Sequence, residues 1–67
     1  MAHHTQTARL ERIIQIAQWL GQAKAQHPQK TITKSIQIDA INKAMITFGC
    51  SQKTAKEYVR IAQLTIQ

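Results

Sequence analysis

The tripeptide Gly49-Cys50-Ser51 constrains this chain most, because it divides two apolar patterns that are each helical. Before it, Ile38, Ile41, Met45 and Phe48 recur at i, i+3, i+7 and i+10, a stripe along one face of an α-helix. After it, Ala55, Tyr58, Val59 and Ala62 recur at i, i+3, i+4 and i+7. Gly49 can take the left-handed conformation that ends a helix, and Ser51 can accept from the free N–H groups that begin the next. The spacing is that of a helix-turn-helix pair.

Upstream, residues 1–6 read as a flexible lead and 7–67 as the folded domain. Thr7 suits a helix N-cap, and Glu11 lies where a carboxylate complements the helix dipole. Leu10, Ile13, Ile14, Ala17 and Leu20 then form an apolar face that runs to about Gln26. His27-Pro28 stops it, since proline biases the preceding residue away from helical angles. At about 100° per residue, Ile16, Trp19 and Ala23 project away from that face as a second apolar strip. Two readings account for the strip. Either the segment Gln29–Ile36 folds back over it, or it is a homodimer seam.

The connector Gln29–Thr33 contains the β-prone Thr31-Ile32-Thr33, and Ile32, Ile36 and Ile38 also fit an alternating pattern. The Ile38–Phe48 stripe is the longer signal, so Thr33 is assigned as a cap with a helix from Lys34. The expected fold is all-α: three helices over Thr7–Gln26, Lys34–Phe48 and Gln52–Thr65, with room for one short extended segment near Ile32.

Sixty-seven residues lie near the lower limit for a chain that builds its own core. With one Trp, one Tyr and one Phe against ten Ile, that core has to be aliphatic. Such a chain has little room for a deep catalytic cleft, and no acid–base or nucleophile constellation is apparent; an enzyme is not expected. His3, His4, His27 and Cys50 lack metal-ligand spacing, and two glycines make no phosphate-cradling loop, so no metal or cofactor is expected. A lone cysteine excludes an intramolecular disulfide and fits a reducing cytoplasm. Apolar runs of two or three residues are far short of a membrane span, and no signal-peptide pattern opens the chain.

Charge is the other strong statement. Nine Lys/Arg against three Asp/Glu give a net +6, which attracts polyanions. In the last helix, Lys53, Lys56 and Arg60 fall opposite the apolar stripe, with Gln52 and Gln63 flanking them. These are the side chains that grip and read duplex DNA. Arg60 suits the guanine O6/N7 pair, and Gln52 or Gln63 an adenine edge. Lys53 and Lys56 suit phosphate, as do Ser51 and Thr54 at the helix N-terminus; Lys34 and Lys43 would add phosphate contacts. Glu57 lies on the same arc, to accept from a cytosine amino group or to pair with Lys53 or Arg60.

The run Phe48-Gly49-Cys50-Ser51-Gln52-Lys53-Thr54-Ala55-Lys56-Glu57-Tyr58-Val59, within Thr33–Arg60, resembles the helix-turn-helix core of small winged-helix-type DNA-binding domains, archaeal and bacterial ones especially. The resemblance covers a little under half of the chain. It implies that the helix from Gln52 is a recognition helix, and that the role is transcriptional or genome-associated. Two features depart from the pattern. Met45 and Ala55 exchange the usual small and branched residues around the turn. No wing hairpin follows the last helix before Gln67, so the chain is a wingless variant or the first part of something longer. Two rivals carry different signatures: a protein-interaction adaptor, supported by Ile61 and Leu64, would be nearly indifferent to salt. A nucleoid-type protein would bind every duplex alike.

Overall fold

The computed structural model describes the backbone of residues 2–66 and the side chains of residues 7–66. Three helices account for most of it: α1 (Ala2–Gln26), α2 (Lys34–Phe48) and α3 (Gln52–Ile66). No strand occurs among the described residues, and the segment around Ile32 is an irregular connector whose Ile32 side chain packs on the core. α1 starts ahead of Thr7, which lies within the helix rather than capping it. Its end is as expected. After Gln26 the His27 N–H reaches the Ala23 carbonyl at 3.0 Å, and His27 Nδ1 accepts from the Gln29 N–H at 3.1 Å.

Local chemistry sets the other ends. Thr33 is extended (φ −81°, ψ 167°), and its Oγ1 accepts from the Ile36 N–H at 3.2 Å. Gly49 is left-handed (φ 64°, ψ 31°) and returns its N–H to the Met45 carbonyl at 3.0 Å. Ser51 Oγ accepts from the Thr54 N–H at 3.2 Å and caps α3.

The mutual arrangement of the helices follows from who touches whom. Gln37 Nε2 donates to Gln63 Oε1 at 3.0 Å, which places the first turn of α2 beside the last turn of α3. Helices of this length diverging from their turn at the angle of a helix-turn-helix pair would hold those positions about 20 Å apart or more. Along α1, Arg12 meets Phe48, Trp19 meets Lys43, and Ala23 meets Asp39, so α2 runs antiparallel to α1. Arg9 meets Glu57 and Ile13 shares a seam with Ile61, so α3 runs parallel to α1. The result is an up-down-up bundle measuring 44 × 19 × 15 Å. A fifteen-residue helix is about 22 Å long, so neither α2 nor α3 can lie across the long axis. The wide crossing expected from the turn is thus replaced by helices packed alongside one another.

Alanine is prominent where the helices meet. The buried set is Ile13, Ile16, Ala17, Leu20, Ala40, Ala44, Ala55, Tyr58, Val59 and Ala62. Small side chains let helix axes approach to the lower end of the usual 8–10 Å. α3 buries the expected stripe. α2 does not: it buries Ala40 and Ala44, while Ile41, Met45 and Phe48 pack at the edge and Ile38 is exposed. In α1 the expected face is covered in part: Ile13, Ala17 and Leu20 are in the core. Ile16 is fully buried, whereas Leu10 and Ile14 stand 59% and 58% exposed.

Candidate nucleic-acid interface

α3 presents the most ordered arrangement of functional side chains. Its buried back, Ala55, Tyr58, Val59 and Ala62, fixes it on the bundle, and this leaves Lys53, Lys56 and Arg60 exposed on the outer arc. Beside them runs an open groove of about 680 Å³ between α2 and α3, to which Lys34, Gln37, Gln52, Lys56, Arg60 and Gln63 contribute. Antiparallel packing creates this juxtaposition, since it carries Lys34, at the start of α2, to the end of α3. Lys53, Lys56 and Arg60 also line a shallower concavity on the outer side, next to Ile61 and Leu64.

Four polar side chains are already engaged. Glu57 accepts from Arg9 of α1 at 3.0 Å rather than from Lys53 or Arg60, and this is the one ion pair among the described residues. The pair is exposed, so its worth is small, and Glu57 still lines the outer concavity beside Lys53, Lys56 and Arg60. Gln63 is half-buried and accepts from Gln37, so reading a base edge would require breaking that bond. Ser51 Oγ caps α3 and also donates to Thr54 Oγ1 at 3.1 Å, so both hydroxyls belong to the turn.

Lys43 lies elsewhere. Its Nζ sits 4.5 Å from the centroid of the Trp19 ring, on the face shared by α1 and α2. Trp19 in turn stacks on Phe48 at 5.7 Å with planes 11° apart, and the Arg12 guanidinium lies 5.5 Å from the Phe48 centroid. Cation, indole, phenyl and cation thus form one continuous column. This column also closes the strip expected as a homodimer seam. Ile16 is in the core, Trp19 is covered by Phe48 and Lys43, and Ala23 shares a small cavity with Ile36 and Asp39. It is α2 from Ile36 to Phe48, rather than the connector from Gln29, that folds over Trp19.

Sequence reasoning missed Gln37 as a partner of Gln63 and Arg9 as the partner of Glu57, because both pairings depend on helix direction. Cys50 is half-buried in the turn with its thiol 3.7 Å from the Ala44 carbonyl. Among the described residues no group of three or more His, Cys, Asp or Glu side chains is placed to hold a metal ion. None of the described helices is long and apolar enough to cross a membrane. No protein-family model, no curated protein and no solved structure matches this chain.

Proposed function

We propose that this chain binds double-stranded DNA through the outer face of α3, with the start of α2 against the adjoining backbone, and acts in transcriptional regulation. The observation that carries the reading is the convergence of Lys34, Lys56 and Arg60 on one groove, with Lys53 extending the positive ridge. The nearby carboxylate of Glu57 is held by Arg9. A major groove about 12 Å wide admits one helix but not two side by side. The outer ridge of α3 therefore enters it and α2 stays at the rim. In this arrangement Arg60 and Gln52 face base edges, while Lys34, Lys53 and Lys56 neutralise phosphates.

The test is fluorescence anisotropy of labelled duplexes titrated with protein at several salt concentrations. Three cations on phosphate predict a slope of log K against log salt of about −2.7. Lys56→Ala should weaken binding and make the slope shallower by about 0.9. Affinity indifferent to salt, or unchanged in both Lys56→Ala and Arg60→Ala, overturns the reading. A panel of duplex sequences separates a regulator from a nucleoid-type protein, which would bind all of them alike.

A further inference from the structure

The groove between α2 and α3 combines features that a duplex resting at its rim does not use. Its cations, Lys34, Lys56 and Arg60, share it with Ile38, Ile41 and Val59, and no carboxylate or aromatic ring among the described residues contributes to it. Lys56 and Arg60 lie four residues apart on α3, one above the other, so their heads reach the same stretch of groove. Ile38 is 48% exposed, which leaves apolar surface bare beside these cations. At one end the Gln37–Gln63 hydrogen bond spans the two walls, and Gln52, in the first turn of α3, stands at the other.

We propose that this groove binds a small organic phosphate, its anionic head held by Lys34, Lys56 and Arg60 and a flat apolar body laid on Ile38 and Ile41. Charge selects the head. Three cations without a carboxylate among them repel one another, and a dianion relieves that repulsion. A forked guanidinium beside ammonium groups suits phosphate oxygens. The floor selects the body. Ile38 and Ile41 stand about 4.5 Å apart along α2, which matches a ring or a short alkyl chain. The phosphodiester backbone of a duplex can meet the cations but has no apolar part to set on that floor.

Size and lining exclude larger occupants. The groove of about 680 Å³ falls within the roughly 300–1,000 Å³ of small-molecule sites. A docked helix presents apolar anchors over several turns, whereas Val59 is only 3% exposed and leaves two isoleucines to receive them. A single nucleic-acid strand stacks successive bases on aromatic rings, and this groove has none among the described residues. The ligand takes up cations assigned above to DNA, so ligand and duplex compete; that consequence, unlike the binding itself, rests on the DNA reading.

The probe is naphthyl phosphate, added to the full chain without DNA at physiological salt and followed by backbone amide NMR shifts. Wild type should bind it saturably and at least about tenfold tighter than inorganic phosphate or naphthol, with the largest shifts at Gln37, Ile41, Lys56 and Arg60. Lys56→Gln and Arg60→Gln together should weaken it at least about tenfold. Ile38→Gln should weaken naphthyl phosphate at least about fivefold and leave inorganic phosphate unchanged. Lys53→Gln removes the same charge outside the groove and should change affinity less than about twofold. All four positions are exposed, so helical circular dichroism should be retained. Shifts centred on Leu10 and Ile14, equal affinity for inorganic phosphate, or an equal loss in Lys53→Gln would each overturn the proposal. A wild type that binds duplex but not naphthyl phosphate sinks this inference alone, and the reverse outcome sinks the DNA reading alone.

Discussion

Replacing Ile16 and Ile14 separately by alanine tests the packing of α1 at its most decisive point. The two residues sit two positions apart, yet Ile16 has no exposed surface and Ile14 is more than half exposed. Truncating a fully buried isoleucine removes its transfer free energy and leaves a cavity, together about 2–5 kcal/mol. For Ile14 under half of the side chain is withdrawn from water, so the loss is below about 1 kcal/mol, and the better helix propensity of alanine offsets part of it. A domain of this size has about 3–10 kcal/mol of total stability, so Ile16→Ala brings it close to unfolding while Ile14→Ala leaves it folded. At about 4–8 °C per kcal/mol, the Tm of Ile16→Ala should fall by at least about 8 °C. Thermal unfolding followed by far-UV circular dichroism measures both. Equal losses, or a larger loss for Ile14→Ala, would refute the assignment of the buried face.

Gly49→Ala should cost about 1–2 kcal/mol. The left-handed φ of 64° is the whole of that cost, since a Cβ there meets no atom within 4 Å. Gly49→Asn, which tolerates this conformation better, should lose less in the same unfolding assay. Lys43→Ala should leave the salt slope of DNA binding unchanged, because its ammonium lies over Trp19 on another face, and should cost about 0.5–2 kcal/mol of stability.

What was legible in the sequence is what local chemistry decides. Thr33, Gly49 and Ser51 each carry the side chain, or the lack of one, that their backbone position requires, and each ends or begins a helix where expected. The stripe Ala55, Tyr58, Val59 and Ala62 was legible because lysines and arginine occupy the opposite arc of α3 and leave one apolar face. α1 offers no such contrast. Ile13, Ile14 and Ile16 point in three directions, and only the neighbouring helices decide which of them is covered. In α2 the larger isoleucines dominated the apolar pattern, yet close approach selects Ala40 and Ala44 for the interior. The same close packing sets the angle between α2 and α3, which the turn residues alone leave free. Of the candidate site, Lys34, Gln52, Lys53, Lys56 and Arg60 come together on and beside one groove. Lys43 does not, because the aromatic ring that captures it belongs to another helix.

The column of Arg12, Phe48, Trp19 and Lys43 also gives the protein an optical readout. The chain has one tryptophan and one tyrosine, and they sit on different helices. Trp19 emission reports the contact of α1 with α2, through stacking on Phe48 and the overlying Lys43 ammonium. Tyr58, buried on α3, reports the docking of that helix. Coincident melting of the two signals identifies a single cooperative unit. An earlier transition at Tyr58 instead marks α3 as a helix that can leave an intact α1–α2 pair, which would make the proposed DNA-binding element separable from its support.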